Sequence, residues 1–187
     1  MALRTPPSLK ARAIGLLGQR EHSRAELRRK LLRIEQQQRQ KLHARAMASA
    51  ESADARGELA GETGSDCDDV DPAEASQASA ARIDELLDAL AADGYLDETR
   101  FVESRLHVRS GRFGTQRIQQ ELAQHGLRLD AEQQAQLRAT ELARAGEVWH
   151  RRFGAEPSRE TAEQARQTRF LLARGFAPDI VRRLLKG

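Results

Sequence analysis

At 187 residues, with 39% apolar, 32% charged and only 4% aromatic residues, the chain has room for one domain or a short array of small ones. No run of alternating β-branched residues supports a sheet, and the longest apolar run, Ala13-Ile14-Gly15-Leu16-Leu17, falls far short of the roughly 20 residues that cross a bilayer. The net charge of +3 conceals a division, since residues 1–47 carry +9, residues 48–80 carry −8 and residues 81–187 carry +2. That asymmetry points to an anionic partner for the first segment and to an acidic insert able to compete for the same surface.

In chain order, Pro6, Pro7 and Ser8 lead into a helix from about Leu9 to Gln19 that carries Leu9, Ala13, Leu16 and Leu17 on one side. Ser23-Arg24-Ala25-Glu26 reads as a capping box opening a second helix, which buries Leu27 and Leu31 and presents Arg24, Arg28, Arg29, Lys30 and Arg33 on its other face. Few acids intervene along that face, so its repulsion reads as uncompensated. Residues 35–47 are able to extend the helix into solvent. Residues 49–80, rich in Ala, Ser, Gly, Asp and Glu, have too little to bury and read as a disordered or weakly helical insert.

Order returns at Ala81. Ile83, Leu86, Leu87 and Leu90 share a helix that Gly94 stops and Tyr95-Leu96 seals. Asp97 caps the next helix, with Phe101, Val102, Leu106 and Val108 on its apolar stripe. Gly111, Gly114 and Thr115 restart the chain as a helix burying Ile118 and Leu122 and ending at Gly126. A helix over Leu129 to Leu142 follows. The last segment carries Val148, Trp149 and Phe153, then Phe170 to Leu172 ahead of Gly175-Phe176, then Ile180 to Leu185 beyond Pro178.

The recurrence has a period near 45–50 residues once the insert is discounted. The fold expected is therefore all-α, three tandem three-helix, helix-turn-helix-like repeats: 1–96, with the low-complexity insert at about 36–80, then 97–140 and 141–187. Units so small stack along an elongated body.

Chemistry is sparse by comparison. Cys67 is the only cysteine, so neither a disulfide nor a zinc cage is available, and Cys67-Asp68-Asp69-Val70-Asp71 lacks the glycine and terminal glutamate of a calcium loop. There is no phosphate-binding loop, dinucleotide fingerprint or HExxH, and the five histidines show no ligand spacing. Most carboxylates stand three or four residues from an arginine, as on solvated helix faces. The reading is a non-enzyme without cofactor or metal, soluble and cytoplasmic.

Four segments carry a resemblance. REHSRAELRRKL (Arg20 to Leu31), DGYLDETRF (Asp93 to Phe101), Gly114-Thr115-Gln116-Arg117-Ile118 with Glu121-Leu122, and FLLARGF (Phe170 to Phe176) occur in the order and at the spacing of the RecX family of bacterial regulatory proteins, which the chain resembles outside residues 35–80. The resemblance implies a curved array of three repeats that modulates the recombinase RecA. It implies, too, that the chain lodges in the groove of the RecA–DNA filament and represses ATP hydrolysis and strand exchange, with consequences for the coprotease activity, DNA repair and the SOS response. The partners implied are the RecA filament and single-stranded or duplex DNA, met through the filament or weakly alone, by a monomer.

The contact candidates are Arg24, Arg28, Arg29 and Arg33 in the first repeat and Arg105, Arg109, Arg112 and Arg117 around the second. The Gly-Tyr-Leu-Asp and Arg-Gly-Phe signatures read as architectural, since they sit where helices turn. The alternative is a stand-alone DNA-binding protein of helix-turn-helix type, built on Thr115 to His125 or Gln167 to Arg174 and the helix after each. Those following helices are poor in base-reading residues, with Gln133, Gln134, Gln136 and Arg138 on one and Arg182, Arg183 and Lys186 on the other.

Overall fold

The computed structural model describes residues 7–54, 72–154 and 160–186. Among them the chain is helical throughout, with α1 (Leu9–Leu17), α2 (Arg24–Asp54), α3 (Pro72–Ala92), α4 (Glu98–Ser110), α5 (Thr115–Ala123), α6 (Ala131–Ala139), α7 (Glu141–Phe153), α8 (Thr161–Ala173) and α9 (Pro178–Lys186). Three clusters of buried apolar side chains form, each from three consecutive helices. Ala13, Leu27, Leu31, Ile83, Leu87, Leu90 and Leu96 make the first. Phe101, Val102, Ile118, Leu122 and Leu137 make the second, and Ala145, Val148, Trp149, Leu171, Phe176 and Val181 the third. The chain divides into two compact units, Met1–Leu96 and Asp97–Gly187, so the second and third clusters share a unit.

In the first unit the Ser8 hydroxyl accepts from the Ala11 amide and caps α1, and the Ser23 hydroxyl accepts from the Glu26 amide at the start of α2. The predicted insert is more ordered than its composition suggests. Helix α2 runs on to Asp54 and α3 begins at Pro72, nine residues ahead of the expected start at Ala81. The two helices support one another over residues 24–35 and 79–88, which brings the last residues of the expected insert into contact with α2. Arg24 pairs with Asp88 at 2.6 Å, Arg28 donates to both oxygens of Asp84 at 2.6 and 2.9 Å, and the buried Glu35 accepts from Ser79 at 2.9 Å and Arg82 at 2.8 Å. Partners of higher number on α2 meet lower numbers on α3, so the helices run antiparallel. Residues 55–71, with Cys67 and most of the insert's carboxylates, lie outside the described residues.

The segment before α2 holds a polar knot. His22 and Ser23 are fully buried. A lysine only donates, so the 2.9 Å contact from Lys30 Nζ makes His22 Nε2 the acceptor, and its Nδ1–H donates to the Arg20 carbonyl at 2.8 Å. The Arg20 guanidinium grips the Glu26 carboxylate. Burial, helped by the charges of Arg20 and Lys30, holds the His22 pKa below its ordinary 6.5. The unfolded chain therefore takes up the proton first. This contribution to stability is complete above pH 6.5 and is lost as the pH falls through 6.5 toward the folded-state value. The helical melting midpoint of the first unit should drop over that window. In His22→Gln the dependence should flatten, and an unchanged slope would contradict the neutral tautomer.

In the second unit the Asp97 carboxylate accepts from the amides of Thr99 and Arg100 and caps α4 as expected. Val108, placed on the apolar stripe by its spacing, is instead 61% exposed. At that end of α4 the contact with α5 is polar, made by Arg109 with Glu121 at 3.0 Å. The helix expected over Leu129 to Leu142 is shorter, starting from a reciprocal capping box between Asp130 and Gln133 and ending at Ala139 before α7 begins at Glu141. Glycines with positive φ close α3, α5 and α8, and in each case the following amide, of Tyr95, Leu127 or Phe176, donates to a carbonyl five residues back.

The second and third clusters are joined at two places. The turn after α8 lies against the start of α5, where the Gly114 amide donates to Arg174 O at 3.0 Å and the Gln116 amide to Gly175 O at 3.2 Å. The first turn of α7 supplies the other joint. Buried Glu141 accepts from the Thr115 amide at 3.0 Å, the Thr115 hydroxyl at 2.9 Å and the Ala177 amide at 3.4 Å, so one carboxylate serves the N-terminal ends of both α5 and α9. Arg144, one turn on, donates to the carbonyls of Ser110, Phe113 and Leu137 at 2.8–2.9 Å, the C-terminal ends of α4 and α6 among them. Burial pushes its pKa down while the Glu141 charge opposes the shift.

Candidate partner-binding surface

The eight arginines singled out by sequence divide by what holds them. On α2, Arg24 and Arg28 are committed to Asp88 and Asp84. The Asp84 pair is mutual, with the Arg28 hydrogen bond drawing the carboxyl pKa down and the Asp84 carboxylate raising the guanidinium's. The face expected to be uncompensated is thus neutralised at two of its five charges by carboxylates about sixty residues further along the chain. Lys30 points to His22 and Glu26. Arg29 is exposed with its Nε on the Ala25 carbonyl, and Arg33 is exposed with no hydrogen bond or ion pair among the described residues. Of the four arginines singled out on this helix, Arg29 and Arg33 are the ones left for a partner.

Around the second cluster, Arg105, Arg109 and Arg117 line one pocket of about 220 Å³ with Glu121, Gln120, Gln124 and His125. Glu121 lies 3.0 Å from Arg109 and 3.8 Å from Arg117, and the Arg105 guanidinium sits 5.2 Å over the Phe101 ring. This group carries its own counter-charge. Arg112 is elsewhere.

Arg112 lines a larger pocket of about 440 Å³ with Arg151, Arg152 and Arg174, whose floor includes Gly111, Phe113, Val148 and Phe170. Sequence reasoning missed three of these four arginines. Arg151 and Arg152 close α7, where cations are ordinary partners of the helix dipole, and Arg174 stands in the Arg-Gly-Phe signature read as architectural. The end of α7 and the turn after α8 both meet the turn after α4 and so bring them together, and no spacing in the chain signals those contacts.

The described residues contain no group of three His, Cys, Asp or Glu side chains placed to hold a metal ion, and no described helix is long and apolar enough to cross a membrane.

Against known families, residues 139–185 match the third three-helix domain of RecX, a range that takes in α7 to α9. Similarity extends well beyond that domain. The regulatory protein RecX of Ralstonia nicotianae is 43% identical over 190 residues, covering 100% of this chain and 92% of its own length. The chain belongs to the RecX family. Regulatory protein RecX of Ralstonia pickettii is 39% identical, with 98% and 90% of the two chains covered, and that of Pseudomonas putida 36% identical, with 99% and 94% covered.

With membership in RecX established, the segments that carried the resemblance acquire physical meaning. The Arg20 to Leu31 motif contains the His22, Arg20, Glu26 and Lys30 knot. The Gly114-Thr115 and Arg174-Gly175-Phe176 motifs are the two sides of one backbone contact. In this chain the segments that carried the resemblance include structural joints.

Proposed function

We propose that this chain regulates RecA by binding the RecA–DNA filament and inhibiting its ATPase, recombinase and coprotease activities. The observation that supports the reading is the near full-length similarity to proteins named regulatory protein RecX, 43% identical over 190 residues. The surface chemistry is compatible with it. Exposed guanidiniums without carboxylate partners among the described residues, Arg29 and Arg33 on α2 and Arg112 and Arg152 in the second unit, suit a phosphate-rich partner along which many small contacts accumulate. The regulator acts by occupying the filament, without chemistry of its own.

Binding is tested by fluorescence anisotropy on labelled DNA, bare and coated with cognate RecA, across a salt series. Preference for the coated DNA is expected, weakened in Arg29→Ala/Arg33→Ala with helicity kept. Equal or tighter binding to bare duplex with a steep salt slope would instead favour the helix-turn-helix DNA-binding alternative.

A further inference from the structure

The arginine pocket of the second unit gathers four guanidiniums. Among the described residues lining it there is no carboxylate. Arg151 donates to Gly111 O at 2.8 Å and to Glu147 O at 3.3 Å, and Arg174 donates to Arg112 O at 3.2 Å, so these two cations are oriented by carbonyls, which leave their charge unneutralised. The side chains of Arg112 and Arg152 are exposed and make no hydrogen bond or ion pair among the described residues. Four like charges converging on one concave site repel one another unless an anion joins them. Dipole complementarity at the end of α7 accounts for a cation at Arg151 or Arg152 but not for Arg112 and Arg174, which come from other turns.

Flat surfaces accompany the charge. The Arg174 guanidinium stacks 4.5 Å over the Phe170 ring and lies 6.0 Å from Phe113, and both rings line the pocket. A cradle of guanidiniums suits phosphate oxygens, and stacked guanidinium and phenyl planes suit the face of an unpaired base. A duplex offers the phosphates but hides its base faces, and an acidic peptide repeats its carboxylates without a ring at every step, whereas each nucleotide of a single strand carries both a phosphate and a base. We infer that the pocket formed by Arg112, Arg151, Arg152 and Arg174 with Phe113 and Phe170 is a binding site for single-stranded nucleic acid, taking a phosphate among the guanidiniums and a base against the aromatic wall.

This inference deepens the filament reading by assigning a nucleic-acid contact. It is tested without RecA, so either can fail while the other stands. The full chain is titrated against a fluorescein-labelled oligothymidylate over a salt series, alone and in competition with duplex of equal length, polyglutamate and inorganic phosphate. Arg112→Ala/Arg152→Ala removes two side chains that hold nothing in the fold. It should weaken binding about tenfold and lower the slope of log affinity against log salt by about 1.4, as expected for two lost contacts to single-strand phosphates. Arg182→Ala/Arg183→Ala, which removes equal charge from exposed positions of α9, should change affinity by less than about twofold. Phe170→Leu should weaken the oligonucleotide while leaving competition by inorganic phosphate unchanged. Equal losses in the two double variants would overturn the site, as would preference for the duplex or displacement by polyglutamate at lower concentration than by unlabelled oligothymidylate.

Discussion

Glu141→Ala is expected to destabilise the Asp97–Gly187 unit by about 3 kcal/mol or more. The carboxylate is buried and accepts from the amide and the hydroxyl of Thr115 at about 3 Å, and each hydrogen bond to a charged group contributes roughly 1.5–3 kcal/mol. Its removal leaves the Thr115 amide and hydroxyl without that acceptor. Arg144→Ala is expected to be of similar size, because the carbonyls of Ser110, Phe113 and Leu137 lose their donor together. Urea unfolding followed by the fluorescence of Trp149, the only tryptophan and a buried residue of α7, reads this unit selectively. A cost below about 1 kcal/mol for both would mean that Glu141 and Arg144 behave as a solvated surface pair.

Gly175→Ala is expected to cost about 3 kcal/mol or more, from two sources. Gly175 has φ +80°, which strains any residue with a Cβ, and a Cβ there would lie 2.5 Å from the Arg117 Cβ and amide nitrogen. At Gly114 only the second source acts, since its φ is −75° and the added Cβ would strike the Gly175 carbonyl and the Phe176 amide. Gly114→Ala should therefore break the joint between the second and third clusters while leaving each helix intact. Near-native helical content with a lowered unfolding midpoint is the expected signature. Gly126→Ala, with φ +76° and open space around the Cβ, isolates the conformational term and should cost less than Gly175→Ala. Equal costs at the two positions would show that the close backbone approach carries no energy.

Much of this architecture is legible in the sequence because it is local. Asp97, Ser8 and Ser23 cap helices within three residues, and the Gly94, Gly126 and Gly175 turns close through bonds five residues long. Of the apolar positions chosen by period, Leu27, Leu31, Leu87, Leu90, Ile118 and Leu122 are buried, whereas Val108 is exposed. What escaped the sequence is carried by pairs far apart in the chain. Arg24 and Arg28 read as free charges because Asp88 and Asp84 are brought to them only by the antiparallel packing of α2 and α3. The same packing, through Glu35 with Ser79 and Arg82, orders part of a segment whose composition argued against order. Glu141 and Arg144 stand three apart and read as a surface pair, whereas each is directed to the ends of other helices. The arginine pocket has no local signal at all, since its walls meet only when the end of α7 and the turn after α8 pack on the turn after α4.

The proposed regulation of RecA is tested most directly by the steady-state, single-stranded-DNA-dependent ATPase of the cognate RecA. Titrated well below one molecule per RecA protomer, the chain should inhibit hydrolysis, and Arg29→Ala/Arg33→Ala should lose that inhibition with its helicity unchanged. Undiminished hydrolysis at stoichiometric protein, with the chain folded and the filament assembled, would contradict the account.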